Sequence, residues 1–335
     1  RTGLDPCLLI RGMYNIQSVD YFVGTNNGVF VGGATNPLCA NILPFPECLI
    51  CVLEYEPAVW YSIDDGATLT EVSRDLLEWY KTYIKVQTLD TYHSWIVGTG
   101  NSILRTDHNE DLDLEWRRPS DVPDNREIVD YMDLHFFTYD HGWLALAVNR
   151  DEDAEKRYPE TDEQSREAYD YFQARQAWAQ NPRIRLLMRR YGIDEKGTYS
   201  EGKICKTEDD SLTWQCTYYF QDTGVVRVSF GTEKRGILAT YDQTDKVNGP
   251  SFKIYYTGSS GLAWTEATLP ATGPHTGGAY DIGDLHMVTS ALGYIGGAED
   301  DGSSDMTGFL LVTHDGGKTW DADPYQPDYP INSFD

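Results

Sequence analysis

The chain has 335 residues, 53 Asp plus Glu against 27 Lys plus Arg, and a formal net charge of −26. A field of that sign repels phosphate backbones and argues against nucleic acid as a partner. No apolar run reaches the ~18 residues of a spanning helix, so no membrane span is expected.

In chain order, Cys7–Ile10 reads as a strand. Arg1 stands where a Met would, without a signal-peptide pattern, so the chain reads as a processed form or a segment of something longer. Gly28-Val-Phe-Val-Gly-Gly33 follows, an apolar β-forming run bounded by Gly. Similar runs recur at Ser94–Gly98, Gly142–Ala147, Gly236–Thr240 and Gly293–Gly297. Such runs suit inner strands packed face to face with their neighbours. Residues 34–51 hold Pro37, Pro44 and Pro46 and are expected to form a loop stapled by its cysteines. For Cys7, Cys39, Cys48 and Cys51 disulfides are the favoured reading, with a zinc site or free thiols as alternatives. Glu71–Tyr83 reads as a short helix or an irregular connection.

Asp107, Asn109, Asp111 and Asp113 alternate with other residues up to Glu115. Alternating oxygens can encircle Ca²⁺. Leu112 and Arg118 stand where a calcium-binding loop of the EF-hand type needs Gly and Glu, so a solvated acidic loop is the favoured reading. Residues 151–195 carry the longest helical signal. Thr161 and Gln164 form a capping box, and Asn181-Pro182 breaks the first helix. Ile184, Leu187, Met188 and Tyr191 line one face of a second, with Gly192 at its C-cap. Gly297–Gly308 reads as an acidic loop. Pro330–Asp335 looks like the opening of another repeat when set against Ile16–Asp20.

Punctuating these runs is a turn pattern, S/T-x-D-x-G-x-T-W. It is complete at Thr313-His-Asp315-Gly-Gly317-Lys-Thr-Trp320. Ser62-Ile-Asp64-Asp-Gly66-Ala-Thr-Leu69 lacks only the Trp. Thr207-Glu-Asp209-Asp-Ser-Leu-Thr-Trp214 lacks the Gly. Thr257-Gly-Ser-Ser-Gly261-Leu-Ala-Trp264 lacks the Asp, and Thr106 begins a degraded copy that reaches Trp116. The hydroxyl and carboxylate accept backbone N–H groups inside a tight turn, the Gly supplies positive φ, and the Trp returns a large apolar face to the sheet. The starts at 62, 106, 207, 257 and 313 lie about 44, 101, 50 and 56 residues apart. Residues 151–195 account for the long interval, and a period of about 40–50 residues marks a repeat architecture.

The pattern resembles the Asp-box, or BNR repeat, of the sialidase-like and sortilin-like β-propellers. That resemblance implies an all-β fold, a single propeller over residues 1–335 of five to seven four-stranded blades. The helical insertion then lies in the third repeat. It also implies that the box residues are scaffold, on outer turns away from the ligand face.

The sialidases of this superfamily use three arginines, a Tyr–Glu pair and an acidic Asp. Arg11, in Ile10-Arg11-Gly12-Met13, lacks the Pro of the family's first arginine motif. Pro182-Arg183-Ile184-Arg185 has the letters in the wrong order, and the set is not assembled. Glucan-cleaving relatives use paired carboxylates across a cleft, which no motif singles out among 53 acidic residues. The seven His are scattered, and neither G-x-S-x-G nor H-E-x-x-H occurs. The reading is therefore a non-catalytic binding or assembly protein, a component of an extracellular, cell-surface or virion (phage tail-like) structure. Protein subunits are its expected partners, with carbohydrate second and no cofactor beyond the calcium candidate. A glycoside hydrolase of the sialidase-like or glucanase type is the alternative.

Two local expectations complete the reading. Cys205 and Cys216 flank the third box on what should be paired strands, within disulfide reach. A disulfide there would imply an oxidising compartment. Arg183, Arg185, Arg189 and Arg190 gather on the second predicted helix and suit docking on an acidic partner surface.

Overall fold

A computed structural model describes residues 13–21, 28–40, 50–62, 70–72, 77, 83–90, 92–108, 114–119, 121–123, 129–149, 199–242, 251–270, 279–300, 307–331 and 334. The proposed helical insertion at 151–195 lies outside them.

The fold is all-β, of the β-propeller class, and no helix occurs among the described residues. The strands form four-stranded antiparallel meanders, each running in sequence order from one edge to the other. The first sheet comprises β1 (Met13–Tyr21), β2 (Gly28–Ala40), β3 (Ile50–Ser62) and β4 (Thr70–Glu71). The second comprises β5 (Tyr83–Thr88), β6 (Ser94–Gly98), β7 (Ser102–His108) and β8 (Leu114–Arg117). These two belong to one compact unit.

A second unit holds the other three. Its first sheet, the third of the chain, has β9 (Val129–Phe136), β10 (Gly142–Asn149), β11 (Tyr199–Thr207) and β12 (Gln215–Gln221). The fourth has β13 (Thr223–Phe230), β14 (Gly236–Asp242), β15 (Ser251–Thr257) and β16 (Thr265–Glu266). The fifth has β17 (Ala279–Met287), β18 (Gly293–Asp300), β19 (Thr307–Thr313) and β20 (Asp321–Ala322).

The Gly-bounded apolar runs, expected as inner strands, form the second strand of each sheet. A second strand is hydrogen-bonded on both edges, and every residue of β6 and of Trp143–Val148 in β10 is buried. Burial on both faces makes such a strand read as one continuous apolar run. The expected loop at 34–51 is also corrected in part, since β2 runs on to Ala40 and places Pro37 opposite Leu53 of β3. Pairing with β1 stops at Thr35. Beyond that point no described strand pairs with this edge of β2, and at an edge a residue without an N–H is tolerated. Cys39 and Cys51 are register partners in the same hairpin, whereas Cys7 and Cys48 lie outside the described residues.

The leading strands share a feature that the sequence does not advertise. Each has a one-residue bulge at the same register, between Ile16 and Ser18, Tyr83 and Lys85, Tyr131 and Asp133, Val225 and Arg227, and Ile282 and Asp284. A bulge re-aims the side chain beside it. In the second unit that side chain bridges to the next leading strand. Asp133 Oδ2 accepts from Val228 N at 2.9 Å, and Arg227 Nε donates to Gly283 O at 3.0 Å. Asp284 Oδ2 accepts from Phe334 N at 3.0 Å. Phe334 N thus meets Asp284 of the fifth sheet as Val228 N of β13 meets Asp133 of the third. The Asp133 and Asp284 carboxylates are buried, and backbone donors offset their desolvation.

Between the third and fourth sheets the core is aromatic. Trp143 stacks on Phe230 at 3.7 Å between ring centroids, and Trp264 meets Phe230 edge-on at 6.0 Å. Ala145, Ile204, Val225 and Leu238 fill the space around them.

Candidate functional site

The turn residues singled out in the sequence come first. In the fifth sheet, Asp315 Oδ1 accepts from Thr313 Oγ1, Lys318 N and Thr319 N at 2.9–3.0 Å, and Oδ2 accepts from Thr319 Oγ1 at 2.7 Å. Thr313 Oγ1 accepts from Gly317 N at 3.0 Å, and Trp320 Nε1 donates to Gly317 O at 3.1 Å. The third sheet repeats this arrangement. Thr207 Oγ1 accepts from Ser211 N, and Asp209 accepts from the backbone N and Oγ1 of Thr213. Trp214 departs from it: its buried Nε1 has no hydrogen-bond partner among the described residues, and its ring sits edge-on to Phe136.

In the fourth sheet Ser259 stands where the others have Asp, and its Oγ accepts from Ala263 N at 3.1 Å. One hydroxyl replaces one carboxylate oxygen, so the turn keeps its shape without the Asp. Thr257 Oγ1 still accepts from Gly261 N, and Trp264 Nε1 donates to Gly261 O. Each of the three turns contains two successive residues of positive φ: Asp210 and Ser211, Ser260 and Gly261, Gly316 and Gly317. The pattern reveals only the second of each pair.

Burial raises the Asp315 carboxyl, but the hydrogen bonds from Thr319, Thr313 and Lys318 outweigh it and hold its pKa below the ordinary carboxylate value. The same opposition, with Thr213 and Thr207 as the main donors, lowers Asp209. These carboxylates are fully engaged in holding the turns.

Cys205 and Cys216, register partners on β11 and β12, are joined by a disulfide. Thr106 is buried, and its Oγ1 accepts from Ser94 N at 2.8 Å and donates to Tyr92 O. Ser62 ends β3 opposite Gly28, and Asp107 lies opposite Glu115 between β7 and β8. Asp64, Gly66, Asn109, Asp111, Asp113 and the four insertion arginines Arg183, Arg185, Arg189 and Arg190 lie outside the described residues. Among the described residues no group of three His, Cys, Asp or Glu side chains has metal-binding geometry.

Among the described residues, a site with room for a ligand lies in the second unit, away from the turns. The turns close the hairpins at Thr207, Thr257 and Thr313. The cavity lies toward the other ends of the strands, near Gln221, Thr223 and Thr240. It measures about 290 Å³, near the lower end of the ~300–1,000 Å³ range of small-molecule sites.

The third sheet contributes Tyr218, Tyr219, Phe220 and Gln221 from its last strand, and the fourth contributes Thr223, Thr240, Lys253 and Tyr255. Alternation on β12 divides its residues between two faces. Phe220 is buried and packs with Tyr218 at 5.0 Å and with Tyr255 at 4.9 Å. Tyr219 is 55% exposed, with Lys203 Nζ 5.6 Å from its ring centre.

The chain passes from β12 to β13 through the single residue Asp222, whose φ is 54° and whose N–H donates to Ser200 O. Gly202 of β11 permits the close approach that follows. A Cβ there would lie 2.7 Å from Thr223 O and 2.8 Å from Val225 N.

At the floor of this cavity the polar groups are not satisfied. Thr223 Oγ1 and Thr240 Oγ1 are both buried with no hydrogen-bond partner among the described residues, and Thr240 as a whole is 1% exposed. Buried hydroxyls are ordinarily paired. Two unpaired ones facing a single cavity lined by three tyrosines and a phenylalanine form a set of donors and acceptors open to a ligand. No Asp or Glu lines the cavity among the described residues.

None of these residues stands out in the sequence. The one available signal is the run Tyr218-Tyr219-Phe220, which also reads as an ordinary strand. Arg227, the one arginine on a leading strand of this unit, is committed to the Gly283 and Val226 carbonyls. A second space, among Phe252, Ile282, Ile295 and Phe309, is apolar and about 10 Å³, a packing gap rather than a site.

No family model matches the chain, and no curated protein matches it in sequence. Among solved structures, an ancestral GH74 enzyme is 12% identical over 96% of this chain and 32% of its own, with a TM-score of 0.51. A polysaccharide lyase of family PL25, an ulvan lyase, is 9% identical over 95% of this chain and 71% of its own, also at 0.51. The GH74 enzyme of Niastella koreensis is 12% identical over 92% of this chain, at 0.48, and the chain spans 38% of its length. The chain therefore covers about a third of the length of the GH74 structures it matches. At these identities the likeness is one of fold.

Proposed function

We propose that this chain is a non-catalytic β-propeller with Asp-box turns that binds carbohydrate between its third and fourth sheets. The observation that carries this reading is the pair of buried hydroxyls, Thr223 Oγ1 and Thr240 Oγ1, that line the aromatic cavity with no partner among the described residues. Sugar rings present apolar C–H faces that pack on aromatic rings, and hydroxyls that both donate and accept. A Thr hydroxyl can satisfy either role.

The described lining supplies rings and hydroxyls, which suit holding a sugar; hydrolysis of a glycosidic bond would further need two carboxyl groups facing each other across it. The Cys205–Cys216 disulfide supports an oxidising setting, such as a cell surface, an extracellular space or a virion. There the chain would serve as one subunit of a larger assembly.

Titration of the full chain with an oligosaccharide panel, followed by ligand-observed NMR, tests the reading. Binding by wild type that is lost in Thr240→Val supports it. Absence of binding across the panel, or binding indifferent to Thr240→Val, overturns it. The alternative is a glycoside hydrolase, the activity class of the GH74 neighbours. Release of reducing ends from the same panel by the purified chain would favour it.

A further inference from the structure

Resting on the carbohydrate reading, we infer that the cavity selects an acidic sugar, one bearing a carboxylate or a sulfate ester, and that Lys253 is the selecting residue. Lys253 lies on β15 as the register partner of Thr240 on β14, and both line the cavity. Its ammonium has no carboxylate partner among the described residues.

Acidic residues outnumber basic ones 53 to 27 in the chain. The two lysines of the adjacent strand β11 are both engaged by carboxylates. Lys203 Nζ sits 3.2 Å from Glu201, and Lys206 pairs with Glu208. Glu201 on β11 is the nearest acidic register neighbour of the cavity strand β12, opposite Gln221, and it is engaged by Lys203. Lys253 is half-buried, so its charge is partly desolvated and gains more from an anion than an exposed lysine would.

Hydrogen-bond inventory gives the same answer. The two Thr hydroxyls and the Gln221 amide can each donate and accept, and they match the mixed character of sugar hydroxyls. An ammonium only donates, three times over. The acceptor that best meets it is an ionised oxygen, since charge-assisted bonds are roughly twice as strong as neutral ones. A cavity of about 290 Å³ accommodates a sugar unit together with such a substituent. The hydroxyls and rings would hold the sugar, and Lys253 would read the charge. The set favours a saccharide over a bare anion, which would leave both Thr hydroxyls and the aromatic faces unused.

The test titrates the full-length chain with methyl glucuronide, a glucose sulfate ester, methyl glucoside and sodium sulfate, each followed by ligand-observed NMR. The two acidic sugars are expected to bind about tenfold more tightly than the neutral glucoside. The ratio between the carboxylate and the sulfate ester tells which substituent is preferred. Lys253→Met should abolish the preference, so that the acidic sugars bind no more tightly than the glucoside, and Lys253→Arg should keep most of it. Thermal unfolding of each variant serves as the folding control. Equal binding of neutral and acidic sugars, a preference that survives Lys253→Met, or sodium sulfate binding as tightly as the sugars would each overturn the inference. Of these, equal binding and a surviving preference leave the carbohydrate reading intact. If no saccharide binds, the carbohydrate reading itself has failed.

Discussion

Thr240→Val separates a ligand-binding hydroxyl from a structural one. Thr240 is 1% exposed in the middle of β14, between Val225 and Lys253 in the ladder, and its Oγ1 has no partner among the described residues. An unpaired buried hydroxyl costs roughly 1–3 kcal/mol of desolvation. Valine keeps the β-branched shape, puts a methyl where the hydroxyl was and leaves the backbone ladder alone. Water entering the cavity recovers part of the cost in wild type. The net expectation is a gain of about 1 kcal/mol in the variant, at the low end of that range. Urea unfolding should show a higher midpoint at unchanged slope for the transition of the second unit. Saccharide affinity should fall by about tenfold or more, because a lost hydrogen bond there has no substitute. A variant destabilised by more than about 1 kcal/mol would refute the reasoning, since the hydroxyl would then have a partner within the folded chain.

Asp315→Ala removes four accepted hydrogen bonds from a partly exposed turn and should cost about 1–2 kcal/mol in urea unfolding, with saccharide affinity unchanged. An affinity loss in a stably folded variant would contradict a purely structural role. Because hydrogen bonding lowers Asp209 and Asp315 below the ordinary carboxylate value despite burial, their contribution is complete above the unfolded-state pKa. It disappears as pH falls through the lower folded value. Acid titration should therefore cost wild type more stability than the Asp209→Asn/Asp315→Asn double variant, and equal losses would count against the assignment. Gly317→Ala should destabilise more than Gly261→Ala. Both have positive φ, a strain of about 1–2 kcal/mol for alanine, but a Cβ on Gly317 would lie 2.4 Å from Ile237 Cγ2, whereas one on Gly261 clears Trp143 by 3.4 Å. Equal midpoints for the two in thermal unfolding would show that packing against Ile237 does not matter.

The repeat was legible in the sequence because its turns are local. A Thr, an Asp and a Gly within five residues decide their own hydrogen bonds, so Thr313–Trp320 announces its geometry, and Cys205 and Cys216 could be paired by symmetry about their turn. The apolar second strands were legible because strands buried on both faces leave unbroken runs such as Trp143–Val148. There the sequence shows that these strands are interior, but not that each is the second of its sheet. It also lost Pro37 to a loop, since edge pairing is a relation with β1 and β3 and not a property of the proline.

What the tertiary structure alone decided are the relations between distant strands. Asp133 is one of 53 acidic residues until a bulge turns it toward Val228, 95 positions away. Ser259 looks like a defect in its turn until its hydroxyl is seen accepting from Ala263 N. The cavity has no linear signature for the same reason. Thr223, Thr240, Lys253 and Tyr218 come from four strands of two sheets, and each alone is an ordinary strand residue. Only the approach of β12 to the fourth sheet, permitted where Gly202 lacks a Cβ, leaves two hydroxyls and one ammonium facing the same space with no partner among the described residues.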